Sequence, residues 1–237
     1  MTPAALELTS AWDSSYLRRE NHVFYPCEEM VRFVSRYLRR RVGLNEVVDV
    51  LPGAGGSRMV DVGCGIGRNL MFGTEMGLTM YGNDHSAQAV GIARRWLSQK
   101  LGPVAAERVV ASDVRRLPWE SGFFAHAVSD SALDSMPFEV AQAGVSEIGR
   151  VVQAGGYFYC NLISGDEAGR DAEFCGEVMV ETEFERNTIQ SYFNQAQLQR
   201  LLTPLFELLS CELHQITNPL TGKRQGRWHV ISRRRQP

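Results

Sequence analysis

Residues 58–69 read RMVDVGCGIGRN. Three glycines, Gly63, Gly65 and Gly67, crowd a turn that follows an apolar run ending in the acidic Asp61. A strand that feeds such a turn and then a helix is the general design of a nucleotide-like site. Glycine lets the backbone approach a ligand and take up positive φ. The dinucleotide fingerprint G-x-G-x-x-G sets a pyrophosphate on the helix N-terminus. Here the spacing is G-x-G-x-G, and Arg68 stands where that fingerprint has its third glycine. Asp61 would meet a pyrophosphate with like charge. It suits a ligand that carries cationic groups, such as an ammonium and a sulfonium.

Further acids close later apolar runs. Asp84, in YGNDHS, follows Asp61 by about 20 residues, the spacing of an acidic ribose ligand in nucleotide-binding βαβ units. Asp113 ends the next run, in ASDVRRLPW, and SDSALD follows the one after it. Each acid has a plainer use as well. Asp84 could cap the helix that starts at SAQAV, and Asp113 could cap the turn VRRLP.

The elements that must position these residues alternate. SRMVDV, LTMYGND, ERVVASD, GFFAHAVSD and GGYFYCNLIS read as five strands. GRNLMFGTEMG, SAQAVGIARRWLSQK (capped by Ser86) and PFEVAQAGVSEIGRVV read as helices between them. This alternation predicts βαβ units and a parallel sheet covered on both faces. Before the first strand, residues 26–41 predict an amphipathic helix. Pro26 stands near its start, Glu28 and Glu29 in its first turn, and Met30, Phe33, Val34, Tyr37 and Leu38 on one face. LPGAGGS then reads as a flexible connector. Residues 164–190 are polar and weakly periodic, an insertion or lid. NQAQLQRLLTPLF returns to a helix. FELLSCELHQIT and GRWHVISRR form two long strands whose short connection makes them antiparallel.

VDVGCGIGRN resembles the first motif of class I S-adenosylmethionine-dependent methyltransferases, and the likeness runs over about residues 58–163. It implies an α/β fold: a doubly wound, mostly parallel seven-stranded Rossmann-like sheet with a C-terminal antiparallel hairpin. It makes residues 1–237 a single methyltransferase domain, with a helical cover (1–45), a cofactor-binding core (58–163), a lid (164–192) and a closing helix and hairpin (193–237). The implied cofactor is S-adenosyl-L-methionine. The resemblance gives Asp84 the ribose hydroxyls, Ser112, Asp113 and Val114 the adenine, and Ser129 a place near the cofactor. Cys64, Gly65, Gly67, Arg68 and Asn69 of the turn, with Gly63, Asp61 and His85, complete the expected cofactor contacts.

The implied reaction is an in-line displacement at a methyl already activated by positive sulfur, so the protein mainly holds the reactants in line. A general base is required only for a poorly acidic hydroxyl or a protonated amine. His22 and Asp130 are the candidates for catalysis. Many relatives carry a histidine where this chain has Ser135, which counts against a histidine base from that loop. Acceptor contacts are expected from Trp12, Tyr16, Arg19 and Tyr25, from Asp134, and from Arg186 and Tyr192. Trp12 and Tyr16 could instead pack on the sheet, and Asp134 could cap the helix near Pro137.

The chain has 237 residues, 44% of them hydrophobic, and a formal net charge of −2. That suits one large globular domain and argues against a dedicated nucleic-acid binder. RRR at 39–41 and SRRR at 232–235 read as solvated helix and strand ends. The N-terminus lacks a basic region followed by an apolar core, no run is long enough for a membrane helix, and a cytoplasmic place is expected. The five cysteines are scattered with no C-x-x-C pair, which argues for reduced thiols and against a zinc site; no metal is expected. The expected function is transfer of a methyl group to an O or N of a small molecule, such as a carbohydrate or carboxylate, by a monomer or homodimer. The alternatives are an RNA methyltransferase, a non-catalytic cofactor-binding module, and a nicotinamide oxidoreductase, which Asp61 and the missing glycine disfavour.

Overall fold

The computed structural model describes residues 3–171 and 173–236. The N-terminal helix α1 (Pro3–Leu17) is followed by α2 (Glu28–Tyr37) and a short ribbon of β1 (Arg39–Arg41) and β2 (Val47–Asp49). Then β3 (Arg58–Val62), α3 (Arg68–Glu75), β4 (Thr79–Asp84), α4 (Ala87–Leu101), β5 (Val109–Ala111), β6 (His126–Ser129), α5 (Phe138–Val151) and β7 (Tyr157–Ile163) alternate as expected. A ribbon of β8 (Gly176–Met179) and β9 (Ile189–Tyr192), the helix α6 (Gln195–Leu202), and the long strands β10 (Phe206–Thr217) and β11 (Arg224–Arg234) complete the chain.

Seven strands form one sheet in the order β10-β11-β7-β6-β3-β4-β5. The pairs from β7 to β5 are parallel, and β11 runs antiparallel to both β7 and β10. The chain builds outward from β3 through β4 to β5, then returns to β6 on the other side of β3. A crevice opens at such a switch point, beyond the carboxyl ends of the strands, and ligands of open α/β sheets bind there. Asp61, the glycine turn, Asp84 and Asp130 all lie at those ends.

Each face of the sheet has its own core. One packs α5 and α6 against Val60, Phe124, Phe158 and Val230; the other packs α2, α3 and α4 against Met59, Met80, Val128 and Tyr159. The alternation of side chains along each strand produces this division. It also explains the continuous apolar character of the inner strands, which are buried on both faces.

Four local expectations change. The helix over 26–41 starts at Glu28 and ends at Tyr37, because residues 39–41 pair with 47–49 as a strand ribbon. Within RRR, Arg39 is not a solvated end: its Nε donates to Asp49 at 2.8 Å and its Nη1 to the Met76 carbonyl at 2.7 Å. The segment 164–190 carries a two-stranded ribbon that its composition did not signal. The third strand is also shorter than ERVVASD, since residues 103–108 wind into a 3-10 turn.

Candidate functional site

The glycine turn is built by backbone geometry. Gly63, Gly65 and Gly67 all have positive φ, and Gly67 is the N-cap of α3. At Gly63 the requirement is double: φ is +75°, and a side chain would overlap Ala132. At Gly65 a methyl group would sit 2.8 Å from Tyr16 Oη, so the α1 tyrosine lies directly over the turn. Burial, followed by the charge of Asp84, raises the Tyr16 hydroxyl well above its ordinary pKa.

Three carboxylates surround this turn. Asp84 accepts from Gly65 N–H and Ser86 N–H, both at 2.9 Å. Asp130 accepts from Arg68 Nη2 at 2.8 Å, Asn161 Nδ2 at 2.6 Å and Asn69 Nδ2 at 3.3 Å. Burial opposes the charge of Asp130, but Arg68 and the two amides outweigh it and hold the pKa below the usual range. Asp61 has no such company. Both of its oxygens are buried without a hydrogen-bond partner. Burial first, then Asp130, pushes its pKa well up, against the pull of Arg68.

α1 is bolted over this end of the sheet. Trp12 and Tyr16 pack on Ile66 and Ala89. Asp13 accepts from Ser86 Oγ at 2.5 Å, at the N-cap of α4. His22 Nε2 donates to the Tyr16 carbonyl at 3.1 Å and so finishes α1. The loop between β8 and β9 joins the cover: Glu185 N–H donates to Glu20 Oε2 at 3.1 Å.

Beyond the turn lies a second polar group. Asp134 Oδ2 accepts from Ile163 N–H at 2.9 Å and Arg227 Nη1 at 3.0 Å, while Oδ1 is buried and unpartnered. Burial raises its pKa despite Arg227. Glu185 has positive φ and lies within electrostatic reach of Tyr16, Asp134 and Arg227. Burial, then the charges of Asp134 and Glu20, raises its pKa too.

Residues 59–156 match the family model described as a methyltransferase domain. Over those residues the chain is similar to that family. Solved structures share its fold. One is the 1,6-didemethyltoxoflavin-N1-methyltransferase of Burkholderia thailandensis, with a TM-score of 0.70 at 16% identity over 98% of this chain and 89% of the other. Another is an S-adenosylmethionine-dependent methyltransferase of Mesorhizobium loti, with a TM-score of 0.63 at 20% identity over 78% and 94%. A third, from Methanosarcina mazei, has a TM-score of 0.63 at 18% identity over 76% and 93%. At these identities the likeness is one of fold. No curated protein matches the chain in sequence.

The residues at the turn would fit S-adenosyl-L-methionine, the cofactor that the sequence implies. A buried carboxylate with two orphaned oxygens and two acidic neighbours calls for a cation, and the cofactor carries an ammonium and a sulfonium. The bare backbone at Gly65 makes room for the Tyr16 hydroxyl that covers the turn.

The expected cofactor residues sit at the switch point, in several different states. Cys64 is buried with its sulfur against Gly82. Ser129 Oγ donates to the Val62 carbonyl at 2.9 Å and staples β6 to β3. His85 is exposed and edge-on to Trp12. Val114 is buried against Gly144, and the Ser112 hydroxyl is buried and unpartnered. Asp113 accepts from Arg115 N–H at 2.8 Å and from its guanidinium, which lowers its pKa. Thus it caps its turn, the plainer of the two readings, whatever else it binds. Asp134 does not cap α5; Glu177 accepts from Phe138 N–H there at 2.8 Å.

The expected acceptor residues divide. Trp12 and Tyr16 are buried over the turn, and Tyr192 is half-buried against Phe174. Arg19, Tyr25 and Arg186 are exposed. Sequence reasoning missed Glu185, Asn161 and Arg227. Asn161 sits in a strand that read as part of the parallel core, and Arg227 in the hairpin that read as sheet closure. Glu185 adjoins Arg186, which drew attention as an anion ligand. The one available signal was a lone acid beside an arginine in a polar segment, and that is no signal at all.

Proposed function

We propose that this methyltransferase moves a methyl group to an oxygen or nitrogen of a small polar molecule, with carbohydrates and carboxylates the first classes to test. One observation carries the reading: Arg227 Nη1 donates to the buried Asp134 at 3.0 Å, and Glu185 lies within electrostatic reach of that pair and of Tyr16. The glycine turn therefore adjoins a group of two acids and a guanidinium, on the side covered by α1 and the β8–β9 loop. A few converging polar groups in a covered site suit a small acceptor rather than a polymer. The Burkholderia thailandensis relative, whose structure holds 1,6-didemethyltoxoflavin and S-adenosylhomocysteine, supports the same class.

In this reading residues 1–237 act as one domain, in the cytoplasm, where its free cysteines stay reduced. The cofactor supplies a methyl group activated on a sulfonium. Asp61 takes its ammonium, Asp84 with His85 the ribose, and Ser112, Asp113 and Val114 the adenine. Gly63, Cys64, Gly65, Gly67, Arg68, Asn69 and Ser129 shape the turn around it. Arg227 orients an acceptor that carries an anion or hydroxyls, and the lid residues Arg186 and Tyr192 close behind it with Trp12, Arg19 and Tyr25 of the cover.

Where the acceptor has a proton to lose, four groups compete. Asp130 has its oxygens engaged by donors and held ionised, so it serves best by fixing Arg68 and Asn161. His22, with Nε2 engaged, has Nδ1 left as a base. Asp134 and Glu185 have raised pKa values and stand beside Arg227, which favours them.

The test is an acceptor screen that follows release of S-adenosylhomocysteine, starting with sugars, nucleotide sugars and small carboxylates. Turnover on one of these classes is the expected result. Tight cofactor binding with no turnover across the panel would establish a binding module instead. Salt-dependent methylation of RNA would transfer the activity to a polymer acceptor.

A further inference from the structure

We propose that Glu29, His214 and His229 bind one divalent transition-metal ion of the zinc class. One ligand atom from each lies within 4.8 Å of those of the other two, and all three residues are half-buried. They come from three elements: the first turn of α2, β10 and β11. In the hairpin register Glu212 stands opposite His229 and His214 opposite Arg227. Directly opposed residues of an antiparallel pair share a face, as do alternate residues of one strand. Glu212, His214, Arg227 and His229 therefore lie on one face of the hairpin, and Glu29 reaches that face from α2.

The rings are already held in the way that metal-binding histidines are held. Such a histidine engages its second ring nitrogen with a carboxylate, a carbonyl or another polar group, which fixes tautomer and orientation. His229 Nδ1 is 3.0 Å from Tyr159 Oη, and His214 Nε2 is 3.0 Å from Glu212 Oε2. This leaves the other nitrogen of each ring as its free donor. His214 Nδ1 stands 3.4 Å from Glu29 Oε1. The two ring centroids are 4.5 Å apart. Two imidazolium ions at that separation would repel each other, whereas two neutral rings can share a metal.

The donor set names the class. Two imidazoles and a carboxylate suit zinc and its neighbours in the Irving–Williams series, while magnesium and calcium select oxygen ligands. A tetrahedral site with bonds of about 2.1 Å sets its ligand atoms roughly 3.4 Å apart. Rotamer shifts of a glutamate and a half-buried histidine cover the difference. Three protein ligands leave at least one coordination position open. The positions 29, 214 and 229 follow no ligand spacing, so only the fold brings them together.

The experiment is calorimetric titration of zinc chloride into the metal-stripped full chain. Cys175→Ser and Cys211→Ser are included, because both exposed thiols could otherwise bind zinc. One zinc per chain is expected, with affinity reduced at least tenfold in Glu29→Gln and in His214→Gln. Saturating zinc should raise the melting temperature of the parent and raise that of His214→Gln less or not at all, since a ligand stabilises the fold in proportion to its binding to the native state, and the variant lacks one of the three donors. Circular dichroism shows whether each variant is folded. Should either variant fail to fold, Glu29→Asp replaces it as the weakened-ligand control. Zinc that binds the parent no more tightly than the folded variants, or does not bind it, overturns the proposal. None of these readouts depends on methyl transfer.

Discussion

Arg68 Nη2 donates to Asp130 Oδ2 at 2.8 Å, joining the first turn of α3 to the end of β6. The guanidinium nearest the glycine turn is thereby committed to Asp130. Asp61 keeps only its distant pull and remains buried with two unpartnered oxygens. The buried Asp61 carboxylate would be stabilised by positive charge, and several outcomes depend on it.

Asp61→Asn should move stability and cofactor affinity in opposite directions. A charge-assisted hydrogen bond is worth about 1.5–3 kcal/mol, so S-adenosylmethionine should bind roughly 10- to 150-fold more weakly. Removing an uncompensated buried acid should leave the apo protein as stable or more so. Calorimetric titration and urea unfolding check the two halves. Equal affinity in the variant would show that Asp61 does not meet the ammonium.

The same residue predicts a pH dependence of binding. The folded pKa of Asp61 is raised by burial, so the carboxyl is protonated over a wider range than an ordinary aspartate. Cofactor affinity should therefore rise with pH as Asp61 ionises, and this rise should vanish in Asp61→Asn. The raised pKa has the reverse effect on stability: its contribution is present in acid, below the unfolded value, and is lost as pH climbs through the folded one. An affinity profile identical in the two proteins would rule the explanation out.

His126 titrates in the opposite sense. Burial lowers its pKa from 6.5 to about 4, and its Nδ1 accepts from Tyr157 N–H at 3.2 Å, which requires the neutral ring. Unfolded chains bind a proton there that the folded chain refuses. The stability is present above pH 6.5 and lost as pH falls towards 4, by of the order of 3 kcal/mol. His126→Asn keeps an acceptor and removes the titration. Urea midpoints measured from pH 7.5 to 4.5 should fall less steeply in the variant.

Gly63→Ala and Gly53→Ala separate strain from overlap. Both positions have φ near +75°, yet a methyl at Gly53 meets nothing within 4 Å, while one at Gly63 overlaps Ala132. Gly53→Ala should cost about 1–2 kcal/mol from backbone conformation alone. Gly63→Ala should add about 1–3 kcal/mol of overpacking, and it should weaken the cofactor site. Thermal denaturation of the two variants compares them directly; equal losses would show that the turn yields around Ala132.

Glu185→Gln tests the acceptor end. With an acceptor that loses a proton, kcat should drop by about 10²-fold, with S-adenosylmethionine affinity unchanged. An unaltered kcat with a raised acceptor KM would make Glu185 a binding residue and leave Asp134 as the base.

The local order of the chain was written in its sequence. Glycines 63, 65 and 67 demand positive φ that other residues resist, and the apolar runs of β3, β4, β6 and β7 can be buried only between two helical layers. Asp61, Asp84 and Asp130 follow as strand ends, because the doubly wound sheet places those ends together. Such features depend on neighbours in sequence or on period, so they are legible without coordinates. The ribbons at β1–β2 and β8–β9 were not, since runs of three or four residues are too short to show a period and form strands only when a partner is supplied. What the tertiary structure alone decided is which charges meet. Arg68 went to Asp130 and not to Asp61; Asn161 of β7 reached Asp130, and Arg227 of the closing hairpin reached Asp134; Glu185 is half-buried beside its exposed neighbour Arg186; and Glu29, His214 and His229 met across the hairpin. Coulomb attraction and desolvation act through distances of a few ångströms in space, and residues far apart in the chain acquire those distances only on folding.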